Sequence, residues 1–233
     1  MNYHSTVSEV IRQHKPNEMI VANHLYQESL KSVPESTYYK ILERMVKDKT
    51  LTRLARGVYC LPKITRFGTI PKNQQEIIRY YTGETGTDGI VVGYALYNRY
   101  GLTTQITKSI KIYSNRLTSG RKTFGDIQVW RVSLVFREPE RDAIEALEIL
   151  QHYNEIEESQ IIAFRNFLAH AAKQYHDTAT QTVLQHIRYK KRTIAFFAEV
   201  LDYFHVNHSL RQYLSSLSTY QIPTMEEIYE PAS

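Results

Sequence analysis

Cysteine is almost absent: Cys60 stands alone, so no internal disulfide can form and nothing implies secretion. Glycine and proline are sparse, nine and seven among 233 residues, which excludes collagen-like and low-complexity chains. Long apolar runs are missing too. The stretch Ile194–Leu201 is short and carries a glutamate, against the roughly 20 apolar residues a membrane helix needs. The first residues, Met1-Asn2-Tyr3-His4-Ser5, lack a basic-then-apolar targeting pattern. The expectation is a cytoplasmic protein without membrane association.

Catalytic and metal-binding signatures are also lacking. There is no HExxH, CxxC, GxSxG, phosphate-binding loop or dinucleotide fingerprint. His205 and His208 lie three apart and His170 and His176 six apart, with no clustered carboxylates or thiols to complete a metal site. Cys60 has apolar neighbours on both sides and reads as a small core residue. Gly83, Gly86 and Gly89 follow a helix rather than a strand, the wrong context for cradling phosphate. We therefore expect no enzyme activity, no cofactor and no metal.

What remains is an ordinary globular composition, 42% hydrophobic and 23% charged. At about 150 residues per domain, the length suits one large domain or two small ones. The net charge of +5 is unevenly spread. Residues 1–65 carry ten Lys/Arg against six Asp/Glu, residues 66–136 ten against four, and residues 137–233 nine against fourteen. A basic front half joined to an acidic end suggests that the front half meets a polyanion.

Three segments are expected: 1–64, 65–137 and 138–233. In the first, Val7, Val10 and Ile11 have helical spacing, with Ser5 or Thr6 as caps and Pro16 as a stop. Met19–Gln27 reads as a short helix, or as an extended lead-in followed by one. Ser36–Lys47 is the best helix, with Ser32 and Ser36 as candidate caps and an apolar stripe of Tyr38, Ile41, Leu42, Met45 and Val46. A hairpin follows, Thr50–Leu54 and Val58–Leu61, turning at Ala55-Arg56-Gly57. Three helices and a hairpin form the winged helix-turn-helix plan.

The second segment reads as mixed α/β. Lys72–Tyr81 and Ala95–Tyr100 are helical; Gly89–Tyr94 is a buried strand or a strand-to-helix entry; Ser109–Ser114 and Ile127–Val132 are half-buried strands, with a basic turn, Arg116 to Lys122, between them. The third segment is a helical extension with three apolar stripes: Ile144, Leu147 and Leu150; Ile161 to Ala171; and Val183 to Phe204. Pro223 and the acidic Glu226, Glu227 and Glu230 suggest a loosely ordered end. The basic and aromatic run His186–Arg192 could be a second nucleic-acid contact, but reads better as a basic turn that makes salt links or faces solvent. The fold class is α+β.

The polar face of Ser36–Lys47 carries the clearest chemistry. A helix fits the major groove of DNA, where short polar side chains near its start reach base edges and cations reach phosphates. Ser36, Thr37, Tyr39 and Lys40 are the candidate base-side contacts, and Arg44 and Lys47 the phosphate contacts. Arg53 and Arg56 on the hairpin could reach an adjacent groove or the backbone. The plainer account of the same residues is a solvated helix face.

Leu42-Glu43-Arg44-Met45-Val46-Lys47-Asp48-Lys49-Thr50-Leu51, continuing Thr52-Arg53-Leu54-Ala55-Arg56-Gly57-Val58-Tyr59, resembles the signature L-x-R-L-v-k-x-G-x-L-x-R-v-x-R-G-v-Y of AbiEi-type antitoxins of type IV toxin–antitoxin systems. Gly93-Tyr94-Ala95-Leu96 and Tyr100-Gly101-Leu102-Thr103-Thr104-Gln105 are similar to a second stretch of that group. The resemblance covers about residues 5–135. Lys49 departs from it, standing where a glycine would cap the helix at positive φ. The resemblance implies a bacterial repressor of its own operon that binds inverted repeats in its promoter. It also implies a functional partner, a nucleotidyltransferase-like toxin, countered without a stable complex. Only the DNA role carries over to residues here: Ser36, Thr37, Tyr39, Lys40, Arg44, Arg53 and Arg56. Two other readings stand beside it. One is a transcriptional regulator or host-defence accessory without a toxin partner. The other is a protein-interaction module using the acidic C-terminal helices.

Overall fold

Asn2 opens the chain's first helix, α1 (Tyr3–Arg12), its side-chain oxygen accepting from the backbone N–H of His4 at 3.1 Å and of Ser5 at 3.4 Å. An amide oxygen so placed satisfies donors that the first turn leaves open. The expected caps Ser5 and Thr6 lie inside that turn instead. The structure is a computed structural model and describes residues 2–62, 64–65, 68–69, 74–105, 109–155 and 160–230.

The chain continues through β1 (Ile20–Val21), α2 (Ala22–Ser29), α3 (Glu35–Lys47), β2 (Thr52–Ala55) and β3 (Val58–Cys60). The extended lead-in followed by a helix is thus the form that Met19–Gln27 takes. Strands β4 (Ile64–Thr65) and β5 (Gly68–Thr69) pair antiparallel, and α4 (Gln74–Thr82) follows. The expected start of that helix at Lys72 lies outside the described residues. Next come β6 (Gly89–Val92), α5 (Tyr94–Arg99), β7 (Ile110–Ser114), β8 (Arg121–Phe124) and β9 (Ile127–Arg131). The basic turn expected from Arg116 to Lys122 therefore ends by entering a strand. Among the described residues the α-helices that follow are α6 (Glu138–Gln151), α7 (Ile161–Lys173), α8 (Asp177–His186), α9 (Lys191–Tyr203) and α10 (Met225–Tyr229). The protein is a mixed α and β fold, and none of its described helices is long and apolar enough to cross a membrane.

Contacts divide the chain into two compact units. One is Met1–Tyr80 with Lys122–Gly125; the other is Tyr81–Arg121 with Asp126–Ser233. In the first, β3 is the middle strand of a three-stranded antiparallel sheet, flanked by β1 and β2. Its core gathers Val7 and Ile11 of α1, Leu25 of α2, Tyr38, Ile41, Leu42 and Met45 of α3, and Tyr59 of β3. Cys60 is buried. Gly57 makes the β2–β3 turn at φ +71°, a backbone state that costs a side-chain-bearing residue free energy.

In the second unit, β7 is flanked by β6, antiparallel, and by β9, parallel. Residues of β6 and β7 pack on later helices, so that Ile90, Val92 and Tyr113 share a core with Ile144 and Leu147 of α6 and with Phe197. The residues on either side of position 137 therefore belong to one core. Three carboxylates of α6 are buried, Glu140, Glu145 and Glu148, and the last two have cationic and hydroxyl partners. Glu145 accepts from Arg99 Nη2 and from the Tyr100 hydroxyl, both at 2.5 Å. Glu148, 1% exposed, accepts from the Tyr113 hydroxyl at 2.7 Å, with Lys111 Nζ 3.6 Å away. Buried charge without such partners would cost several kcal/mol, on the order of 3–5 when one partner is removed.

The long apolar stripe from Val183 to Phe204 is divided between α8 and α9. Ile187 and Tyr189 are buried in the extended link between them. In the His186–Arg192 run the cations Arg188, Lys190 and Lys191 are exposed, with Lys191 Nζ donating to the Tyr213 carbonyl. Residues 224–230 are more ordered than expected. Thr224 and Glu227 form a reciprocal capping box on α10, and Met225 and Ile228 bury against the core.

Candidate nucleic-acid interface

Helix α3 is fixed from below. Tyr38, fully buried, donates its hydroxyl to the Ala22 carbonyl at 3.0 Å, and Tyr26 donates to the Val33 carbonyl at 3.0 Å. The Tyr26 and Tyr38 rings lie 5.3 Å apart. Burial pushes the Tyr38 phenol well above its ordinary value, with Tyr39 and Tyr59 adding to the shift, so it stays a neutral donor. These contacts tie the start of α2 and the turn before α3 to the buried side of α3. Burying Tyr38, Ile41, Leu42 and Met45 contributes roughly 1.5–3 kcal/mol per fully buried large side chain.

The start of α3 departs from expectation. Pro34 occupies the N-cap without a side-chain hydrogen bond, Glu35 is the first helical residue, and Ser36 lies within the first turn. Pro there costs no intrahelical bond, because it has no N–H to orphan. Neither Ser32 nor Ser36 caps the helix. At the far end Lys49 takes φ +60°, the geometry in which a glycine would sit without strain. Thr50 and Leu51 donate their backbone N–H groups to the Met45 carbonyl at 3.0 Å each, and the Thr50 hydroxyl reaches it at 3.1 Å. Lys49 thus closes the helix by the route the glycine would have taken.

With the buried positions facing the core, the opposite face of α3 is open. Ser36, Lys40, Glu43, Arg44 and Lys47 are exposed, and Thr37 and Tyr39 are half-buried on its flanks. Arg53 on β2 and Arg56 in the hairpin turn are also exposed. Among the described residues no ion pair engages Lys40, Arg44, Lys47, Arg53 or Arg56, although Glu35 and Glu43 share the helix with three of them.

Tyr59 links the two parts of this surface. It pairs with Arg53 across the β2–β3 ladder. Burial pushes its phenol up, the Arg53 cation pulls it back, and the Glu43 carboxylate pushes it up again. A guanidinium of the hairpin and a carboxylate of α3 therefore act on one ring. Tyr39 is raised as well, by burial first and then by Glu35, Tyr59 and Tyr26. The structure brings Ser36, Thr37, Tyr39, Lys40 and Arg44 onto one helix face and sets Arg53 within electrostatic reach of it. Arg56 stands in the hairpin turn, with no hydrogen bond or ion pair to α3 among the described residues.

Two exposed cations flank α3 that the sequence reading did not name as contacts: Lys31 in the turn before it and Lys49 in the turn after it. Charge alone marked them, and neither falls in the helical pattern. Glu43 gains significance from the structure, because it is the carboxylate at the centre of the open face.

Comparisons place the chain without assigning it a role. Residues 6–193 match a family of unknown function, DUF6088, and the chain belongs to that family. No curated protein matches it. Among solved structures, the RV2827C protein from Mycobacterium tuberculosis is similar over 87% of this chain and 77% of that one, at 10% sequence identity and a TM-score of 0.43.

Proposed function

We propose that the first unit is a winged helix-turn-helix that binds double-stranded DNA sequence-specifically, with α3 in the major groove and the β2–β3 hairpin as the wing. The observation that carries this is the unpaired cationic and hydroxyl-bearing face of α3, held rigidly by its buried side and continued by Arg53. The order of helices and the small antiparallel sheet support the same reading. A helix face that bears Lys40, Arg44 and Lys47 without partner carboxylates keeps its charge available for phosphate. Ser36, Thr37 and Tyr39 supply short-range donors and acceptors for base edges, and Glu43 can accept from the amino group of cytosine.

The reading extends to autoregulation. The resemblance of residues 42–59 and 93–105 to AbiEi-type antitoxins supports a repressor acting on inverted repeats of its own promoter, in a system that counters a nucleotidyltransferase-like toxin. Residues of that second stretch, Leu96, Leu102 and Thr103, are buried, which gives them a structural rather than a contact role.

The test separates two kinds of contact. Arg44→Ala, Arg53→Ala and Arg56→Ala should weaken binding to every sequence and each lower the salt dependence by about one ion. Thr37→Ala and Glu43→Gln should instead change discrimination between the upstream DNA and a scrambled duplex, by about 1–3 kcal/mol at the base pairs they read. If all five variants bind both DNAs as the parent does, the α3 face is not the interface.

A further inference from the structure

The acidic C-terminal part of the second unit carries a groove that the DNA reading does not use. It encloses about 580 Å³ between α9 and the segment leading into α10. Its walls include Glu199, Tyr203, Tyr220, Ile222, Met225 and Glu226. A second groove of about 460 Å³ shares Glu199, Tyr220 and Ile222, and its wall runs through Ser216 and Ser218. Leu217, between those serines, is 96% exposed. Tyr203 is 45% exposed, its ring stacked 5.0 Å from Tyr229. Tyr203 thus lines the larger groove, and Leu217 stands between two residues that line the smaller one.

The charge of the larger groove has one sign. The described residues lining the 580 Å³ groove include two carboxylates and two tyrosines and no cation. Glu226 makes no side-chain hydrogen bond or ion pair among the described residues; its neighbour Glu227 is the one committed to the capping box. Glu199 lies 3.5 Å from Arg211, whose closer partner is Asp202. Glu226 is thus the carboxylate without a partner among the described residues, and Glu199 shares Arg211, which lines the adjoining smaller groove. Aromatic faces beside such carboxylates suit a cation that gives up part of its hydration, and guanidinium is more weakly hydrated than ammonium and stacks on rings. An exposed leucine on the rim adds an apolar anchor point. Every lining residue lies beyond the span matched by the family.

We propose that this groove docks an arginine- and leucine-bearing segment of a partner protein, with the guanidinium between Tyr203 and Tyr220, its charge met by Glu199 and Glu226, and an apolar side chain against Leu217. This surface is independent of the α3 face, and either reading can fail without the other.

The experiment uses the full chain and a short fluorescein-labelled peptide of alternating Arg and Leu, followed by anisotropy. The chain carries +5 overall, so general electrostatics disfavours such a peptide and binding reports the local field. Saturable binding is expected for the parent. Glu199→Gln/Glu226→Gln and Tyr203→Ala should each weaken it by about tenfold, the scale of one lost desolvated cation–aromatic or charge contact. A control pair of equal charge change at exposed carboxylates of the first unit, Glu9→Gln/Glu28→Gln, should leave it unchanged. A peptide of alternating Glu and Leu should not bind. Absence of binding, or binding that the groove variants do not weaken, overturns the proposal. So does sedimentation showing self-association abolished by the groove variants, which would seat a second copy of this chain there.

Discussion

Gly89 begins β6 in a space that admits no side chain. A Cβ there would stand 2.4 Å from the Tyr81 carbonyl oxygen and 2.5 Å from that of Tyr113. Both atoms are backbone, and the Ser114 hydroxyl, which donates to the Tyr81 carbonyl at 2.6 Å, fixes one of them further. Relief would require moving β7 or the end of α4. Gly89→Ala is therefore expected to lower stability by about 3 kcal/mol or more, beyond the usual range for overpacking. Denaturant unfolding measures this, and a loss below about 1 kcal/mol would mean the strands yield easily. Lys49 presents the opposite case. It holds a positive φ with an ordinary side chain, so Lys49→Gly should stabilise the protein by about 0.5–1 kcal/mol, the relief of left-handed strain less the added chain entropy. Thermal unfolding of the two proteins decides the sign.

At the scale of elements, helix ends show how local chemistry gives pH dependence. Asp177 is the first residue of α8. Burial raises its carboxyl, but hydrogen bonds from the Tyr175 hydroxyl, the Ser209 backbone and hydroxyl and the Gln181 amide outweigh this and hold it below its ordinary 3.8. A carboxylate lowered on folding contributes stability that is fully present above 3.8 and is lost as pH falls through its folded value. Asp177→Asn should therefore be less stable than the parent near neutrality, and the gap should close in acid below that range. Urea midpoints measured across pH 2–7 test this, and a gap independent of pH would contradict it. Element identity was legible where one face is apolar. Tyr38, Ile41, Leu42 and Met45 marked α3, and the alternation from Ile127 to Trp130 marked β9. Element ends were not. Asn2, Pro34 and Thr224 decide three helix starts, and each competed with nearby serines, threonines or acids that the sequence alone could equally have used.

For the molecule as a whole, the charge asymmetry read from composition corresponds to two different surfaces. The basic front half contributes an α3 face whose cations are unpaired; the acidic end contributes a carboxylate-lined groove. Much of the candidate interface was visible beforehand, because a helical period of 3.6 fixes which side chains oppose the apolar stripe. The link through Tyr59 was not visible, since cross-strand pairing joins Arg53 to a residue six positions away and the helix packing then adds Glu43. The shared core on both sides of position 137 was hidden for a similar reason. Parallel pairing of β7 with β9 and the packing of β6 and Tyr113 against later helices are non-local, and periodicity carries no information about them.

Recognition of DNA by the first unit is tested most directly by binding of the purified chain to the duplex upstream of its own gene, against a scrambled duplex, over a salt series. Tighter binding to the upstream duplex is expected at every salt concentration. Affinity for both should fall linearly on a logarithmic salt scale, with a slope near 0.9 per phosphate neutralised. A Lys40→Ala/Arg44→Ala/Arg56→Ala protein should lose most of that affinity while keeping the parent's thermal stability. Equal binding to both duplexes at all salt concentrations, or binding that the triple variant retains, would contradict the account.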